Sequence, residues 1–169
     1  MTDHKKLRRL TTAALFAAAI TITTAYLLHI PLPTGGYVHV GDALIYLSAC
    51  LLPMPWAMLT GAVGAGLADL LTAPVWALPT LIIKTIICLP FTSKHDNIFC
   101  TRNVLAVLIS GLLSPTLYGF ANVIFAGGWA AFPPQFLGTL IQSVASGIIF
   151  LLFAFAFDRI GLKKRMSID

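Results

Sequence analysis

Long apolar runs fill most of this chain, and the residues that interrupt them limit the folds it can adopt. Proline, glycine and charged clusters divide the sequence into six hydrophobic segments, near residues 9–29, 41–53, 55–72, 78–92, 103–127 and 134–158. Only 10% of the residues are charged, against about 25% in a soluble domain, which is too few to cover a water-facing surface. Because helices satisfy their own backbone hydrogen bonds in lipid, the sequence predicts an all-α integral membrane protein, a six-helix bundle in one domain over 1–169.

The basic residues indicate how this bundle is oriented. Ten of the eleven lysine and arginine residues lie at the start of the chain, in the 93–102 loop or after the last segment. The loops expected on the other side, "PLPTGGYVHVGD", "APVWALP" and "GGWAAFPP", contain no lysine or arginine. By the positive-inside rule both termini are expected in the cytoplasm. This distribution is a topology signal rather than a nucleic-acid-binding surface, so no nucleic acid is expected as a partner.

The eleventh basic residue, Lys84, lies within a hydrophobic segment, in the run "PTLIIKTIICLP". Its expected depth is on the order of 10 Å below the outer interface, and a lysine at the centre of a membrane helix costs roughly 2.5–3.5 kcal/mol. Such a side chain should face the protein interior and have a partner. Asp42 and Asp69 lie at compatible depths, which leaves two interpretations open. One is a structural ion pair between Lys84 and Asp69, and the other is contact of Lys84 or Asp42 with a polar ligand group.

Polar and aromatic side chains gather in the outer halves of the segments. The run "PTGGYVHVGD" follows a glycine pair with three such residues, which suits a flexible loop that closes over a small ligand. Tyr118 and Asn122 are four residues apart and share one helix face. Trp76 fits either a pocket wall or the aromatic belt at a membrane interface. The residues predicted to bind a ligand are Tyr37, His39, Asp42, Trp76, Lys84, Tyr118, Asn122 and Gln142.

Small residues repeat along the first segment, "TTAALFAAAIT". Ala13 with Ala17, and Ala14 with Ala18, form two overlapping small-x-x-x-small pairs, a spacing that lets membrane helices approach closely. The spacing fits packing inside the bundle and docking to another membrane protein equally well.

Several motifs that carry chemistry are missing from the sequence. It contains no G-x-x-x-x-G-K-[ST], H-E-x-x-H or G-x-S-x-G motif. We therefore expect no enzymatic activity and no cofactor or metal bound by this chain. Any ATP-driven transport is expected to use ATP bound by another subunit.

Three runs together, "GGYVHVGDALIYLSACLLP", "GAVGAGLADLL" and "PTLIIKTI", resemble the substrate-binding S-components of energy-coupling factor (ECF) transporters. The chain looks closest to the members that bind vitamins and vitamin precursors. The resemblance implies a multi-pass protein of a prokaryotic plasma membrane that captures a vitamin-like solute from outside. It also implies a transmembrane T-component and two ATPase subunits as partners.

The same resemblance assigns roles to particular positions. The Ala-x-x-x-Ala motif that docks on the T-component corresponds to Ala13/Ala17 or to Ala14/Ala18, and the lid-like first outer loop corresponds to 31–41. The pocket of the family would here draw on Lys84, Asn122 and Gln142.

The identity of the ligand stays open at this point. A pyrimidine alcohol, a pyridoxine-like ring, a pantothenate-like carboxylate and a modified-base precursor all suit a site with a lysine, aspartates and aromatic residues. The alternative function is a structural or assembly membrane protein whose Lys–Asp pair holds helices together without any ligand.

Overall fold

A computed structural model describes residues 3–27, 30–31 and 37–166, with the backbone alone for Tyr37. Over these residues the chain forms seven α-helices and one antiparallel hairpin, which confirms the predicted all-α class. Short 3₁₀ turns at Pro74–Trp76 and Trp129–Ala131 lead into the fourth and sixth helices. The elements are α1 (Asp3–Ala25), β1 (Ile30–Pro31), β2 (Tyr37–Val38), α2 (Asp42–Leu51), α3 (Met54–Thr72), α4 (Ala77–Cys88), α5 (Thr101–Ala126), α6 (Phe132–Arg159) and α7 (Leu162–Met166).

Most predicted segment limits lie within two residues of a helix end, and three do not. The first helix starts at Asp3 instead of 9, because lysine, leucine and arginine are good helix formers and nothing before residue 9 breaks the helix. Its predicted end at 29 lies outside the described residues. The fourth helix ends at Cys88 instead of 92, since Pro90 has no N–H with which to continue it.

The predicted count of six helices is exceeded by one. The five-residue α7 follows Gly161, whose positive φ of 65° turns the chain after α6. Within the described part of the chain, three helical stretches are long and apolar enough to cross a membrane, namely Met54–Thr72, Thr101–Ala126 and Trp129–Arg159. Two other apolar stretches are shorter, Asp42–Leu51 and Pro74–Cys88.

The shortest of these apolar helices, α2, is also the most enclosed. Nine of its ten residues are buried, and it contacts α1, α3, α4 and α6. Around it the other helices pack in pairs, α1 on α3, α3 on α4 and α5 on α6. A helix surrounded on all sides in this way can be short, because its ends lie against protein rather than lipid.

Glycine makes the contact between α1 and α3 close. A Cβ added at Gly64 would lie 2.8 Å from the carbonyl oxygen of Ala17, and Thr21 donates a hydrogen bond to the Gly64 carbonyl at 2.8 Å. The small residues of α3 therefore serve packing inside the bundle.

The two ends of the bundle differ in character. We call one the hairpin end; it holds the β1–β2 hairpin and the turns at 73–76 and 127–131. We call the other the basic end; it holds residues 3–9, 89–100 and 160–166. At the basic end Lys163 Nζ donates to the carbonyl oxygens of Ser93 and His95, and Arg8 donates to that of Met166.

Candidate functional site

A cavity at the hairpin end is the candidate binding site. Its free volume is about 30 Å³, well below the roughly 300–1,000 Å³ of pockets that hold a small molecule, so a ligand of that size would enter only if the surrounding side chains moved apart. Its wall combines side chains from α3, from the turn before α4, from α5 and from the first turns of α6 with the residue that follows β2. The lining residues are His39, Asp69, Trp76, Tyr118, Gln135, Thr139 and Gln142.

Two aromatic side chains form one wall of the cavity. Trp76 and Tyr118 are both buried, with ring centroids 5.8 Å apart and ring planes inclined at 54°. Phe125 packs edge-on against Trp76 at 5.1 Å. The Tyr118 hydroxyl hydrogen-bonds to Thr80 Oγ1 at 2.6 Å. Both rings are therefore fixed before a ligand arrives, and aromatic faces are well suited to stack on a planar ring.

The first three turns of α6 supply the polar wall. Gln135, Thr139 and Gln142 follow a spacing of four and then three residues, so they share one helix face. Gln135 Nε2 donates to Thr139 Oγ1 at 3.3 Å. Two prolines in the first turn, Pro133 and Pro134, favour the start of the helix there. The sequence "FPPQ" thus determines where this polar face begins.

The segment that follows the hairpin brings His39 to the cavity wall. The hairpin pairs Ile30 with Val38, and β2 contacts α6. His39 is buried, and its Nδ1 accepts a hydrogen bond from the Gly41 N–H at 3.0 Å. A Cβ added at Gly41 would collide with Thr24 Oγ1 on α1. The hairpin is therefore anchored tightly at its junction with α2.

The buried ion pair involves a different carboxylate from the one predicted. Lys84 Nζ lies 2.7 Å from Asp42 Oδ1, with side-chain exposures of 1% and 0%. The predicted pair of Lys84 with Asp69 is therefore wrong about the partner. Asp42 opens the central helix α2, which both α4 and α6 contact, whereas Asp69 in the last turn of α3 lines the cavity.

The ion pair is connected to the cavity by Gln142. Its Nε2 donates to Asp42 Oδ2 at 3.0 Å, so each carboxylate oxygen of Asp42 has a donor. The Lys84 ammonium also lies 5.1 Å from the centre of the Tyr118 ring. Lys84 and Asp42 do not appear among the cavity-lining residues. They stabilise two side chains that do line it.

The other residues predicted from the sequence for ligand binding and docking do not appear among the lining residues of the cavity. Asn122 Nδ2 donates to the Ala131 carbonyl at 2.9 Å, so it fixes the turn between α5 and α6. The side chain of Tyr37 lies outside the described part of the chain. Ala13 is 7% exposed and lies in the core cluster, and Ala17 is half-buried opposite Gly64. Ala14 and Ala18 are exposed.

Sequence reasoning placed His39, Trp76, Tyr118 and Gln142 in a pocket, and the structure brings all four to this cavity. The predicted ligand-binding residues did not include Gln135, Thr139 and Asp69, which also line the cavity. The repeat of polar residues along one face of α6 was the signal for the first two.

The cavity lining combines aromatic rings with hydrogen-bonding side chains. In residues 3–27, 30–31 and 37–166, no group of three or more His, Cys, Asp or Glu side chains is placed to hold a metal ion. Fixed aromatic walls with a few convergent polar groups are typical of a small-molecule site. The fold and the lining of the cavity together fit the class of helical membrane proteins with a site for a small solute.

Comparison with known proteins identifies that class more closely. The family of ECF-type riboflavin transporter S components matches residues 4–159. A protein of Pyrococcus woesei described as an "Uncharacterized protein in gap 3'region" is 35% identical over 135 residues, which cover 78% of this chain and 88% of the relative. The chain therefore belongs to the ECF-type riboflavin transporter S component family, and the resemblance seen in its sequence is confirmed.

Membership of this family establishes the general role of the chain. S components are membrane-embedded proteins of prokaryotes that bind a vitamin-like substrate for transport, and they are not enzymes. They work together with a T component and ATPases.

Proposed function

We propose that this chain is the substrate-capture subunit of an ATP-driven ECF importer and that it binds riboflavin, or a closely related neutral flavin, at the hairpin end. The observation that carries the proposal is the cavity itself. It brings the rings of Trp76 and Tyr118 and the polar face of α6 to one cavity. A flavin has a flat ring with a polar edge and a hydroxylated tail, which suits both kinds of wall.

The charges around the cavity favour a neutral ligand. The Asp69 carboxylate lines the cavity, and a ligand carboxylate would meet a like charge there. The positive charge of Lys84 is already paired with Asp42. Of the ligand classes that the sequence left open, this argues against a pantothenate-like carboxylate and for an uncharged ring compound.

The cavity is proposed to open to the outside of the cell. Ten of the eleven basic residues lie at or near the opposite end of the bundle, and the positive-inside rule places that end, with both termini, in the cytoplasm. The hairpin would then cover an external opening. No cofactor is expected on this chain, since ATP would be hydrolysed by two partner ATPase subunits.

Docking to the T-component is proposed to use Ala14 and Ala18. Both are exposed on α1, whereas Ala13 is buried within the bundle and Ala17 faces Gly64. Small exposed residues spaced by four allow a partner helix to approach closely.

This docking surface is tested with the variant A14L/A18L in cells that carry the whole transporter. Uptake is expected to fall to background while the purified variant still binds riboflavin, because leucine blocks a close helix contact at positions that do not line the cavity. A156L, which changes another exposed alanine on α6, should transport normally. Undiminished uptake by A14L/A18L would exclude this surface.

The proposed ligand is tested on the purified chain in detergent micelles. Its melting temperature is measured with riboflavin, pyridoxine and pantothenate, and molecules that co-purify are identified by mass spectrometry. Riboflavin should raise the melting temperature and the other two should not. If none of the three shifts it and nothing co-purifies, the alternative of a structural membrane protein is favoured.

One observation supports that alternative. The Lys84–Asp42 pair joins α2 to α4 and lies outside the cavity lining, so it acts as a scaffold whether or not a ligand binds.

A further inference from the structure

Gln135 has a buried side-chain oxygen without a donor among the described residues. The residue is 5% exposed and lines the cavity from the first turn of α6. Within the described part of the chain, its Oε1 atom is buried and has no hydrogen-bond partner. A buried carbonyl oxygen without a donor is unusual, because it has lost its hydrogen bonds to water and has formed none with the protein.

Neighbouring polar atoms are engaged with the protein. The Tyr118 hydroxyl bonds to Thr80, Gln142 donates to Asp42, and His39 Nδ1 accepts from Gly41. Gln135 is also held in place, since its Nε2 donates to Thr139. The oxygen therefore belongs to a side chain that is held in place beside the cavity.

The chemistry of a carboxamide indicates what would pair with this oxygen. A primary amide has two N–H donors and one acceptor, and Thr139 takes one donor. The Gln135 carboxamide then still has one acceptor, Oε1, beside the second N–H of Nε2. A ring edge that carries an N–H next to a carbonyl complements such a pair, and the oxidised flavin ring has one imide N–H between two carbonyls.

We infer that Gln135 is the residue that recognises the imide edge of the ligand ring and selects for ligands that carry this N–H. The inference rests on the proposed function, because it assigns one edge of a flavin to one residue of the same cavity. The Gln135 oxygen accepts the imide hydrogen, and its second amide N–H lies beside the neighbouring carbonyl. Trp76 and Tyr118 then contact the faces of the ring.

The test compares riboflavin with N3-methylriboflavin, in which a methyl group replaces the imide hydrogen. Dissociation constants for both are measured with the wild-type chain and with Gln135→Met, which keeps the length of the side chain and removes its polar atoms. The wild-type chain should bind the methylated ligand at least about tenfold more weakly, as the loss of one paired acceptor implies. Gln135→Met should bind both ligands with similar, weakened affinity.

A matched control and a stability measurement separate recognition from a structural role. Ser146→Ala changes a buried polar residue of the same helix that does not line the cavity, and it should keep the wild-type ratio of affinities. Without ligand, Gln135→Met should melt close to the wild-type temperature, because removal of the unpaired buried acceptor offsets the loss of the long hydrogen bond to Thr139. A structural glutamine would give a lower melting temperature and an unchanged ratio.

The outcomes distinguish this inference from the proposal on which it rests. Equal affinity of the wild-type chain for the two ligands, or a ratio that persists in Gln135→Met, overturns the inference while leaving flavin binding intact. A wild-type chain that binds neither ligand overturns both.

Discussion

The basic end and the hairpin end use buried polar side chains in opposite ways. At the basic end Asn103 accepts a hydrogen bond from the Thr92 N–H at 2.9 Å and donates to the Thr92 and Ile98 carbonyls at 3.2 and 3.0 Å. Asp158 accepts from the N–H groups of Ile98 and Phe99 at 2.8 and 2.7 Å. At the hairpin end Gln135 keeps an unpaired oxygen. The polar groups of the basic end stabilise a loop, whereas at the hairpin end one acceptor among the described residues, the Gln135 oxygen, is left without a donor.

Lys84 and Asp42 do not line the cavity. We therefore expect them to have a structural role, like the buried polar side chains of the basic end. Replacing Lys84 by methionine leaves the Asp42 carboxylate buried with Gln142 as its remaining donor among the bonds described above. Breaking a buried ion pair on one side typically costs about 3–5 kcal/mol, the largest loss we expect. It is measured as the free energy of unfolding in mixed micelles.

The double variant K84M/D42N is the control for that measurement. It removes both charges and should recover most of the stability, because the cost comes from the unpaired carboxylate. A single K84M variant as stable as the wild-type chain would show that the pair is not a structural element.

Asn103 tests the basic end directly. Asn103→Leu removes three hydrogen bonds and leaves backbone groups of Thr92 and Ile98 without their partner, so the free energy of unfolding should fall by about 2–4 kcal/mol. The riboflavin affinity of the folded variant should be unchanged. The exposed Asn97 provides the matched control, Asn97→Leu, which should alter neither quantity. An affinity that falls along with the stability of Asn103→Leu would mean that the two ends are coupled.

Asp69 tests the charge preference of the hairpin end, with the smallest expected effect. The wild-type chain should bind riboflavin more tightly than riboflavin 5′-phosphate, because the phosphate brings negative charge towards Asp69. In Asp69→Asn that preference should shrink by about tenfold, equivalent to about 1.4 kcal/mol. Asp96→Asn makes the same change in net charge at an exposed site of the basic end and should leave the preference as it is. If Asp69→Asn prefers riboflavin over its 5′-phosphate as strongly as the wild-type chain does, the Asp69 charge does not determine this preference.

The sequence was sufficient to predict the class of fold and much of the cavity. Hydrophobic segments with few charges require membrane helices, and helix ends follow prolines and loop composition. Because consecutive helices run in opposite directions, residues of their outer halves had to meet, which brought Trp76, Tyr118 and Gln142 together.

The partner of Lys84 could not be predicted in the same way. Asp42 and Asp69 lie at similar expected depths, and the choice depends on how α2 and α3 are rotated about their axes. The structure places Asp42 at the start of the central helix, between α4 and α6. Asn122 posed the same difficulty, since its contact with Ala131 depends on the turn between two helices. Tertiary packing, and not residue type, decides both.

Titration of riboflavin with the purified chain, followed by the fluorescence of the flavin ring, tests the central claim most directly. Stacking on Trp76 and Tyr118 should quench the fluorescence in a saturable, one-to-one manner, with the same dissociation constant for Asn103→Leu and a weaker one for Gln135→Met. Fluorescence that stays unchanged as protein is added in excess would contradict the account of the hairpin end as a flavin site.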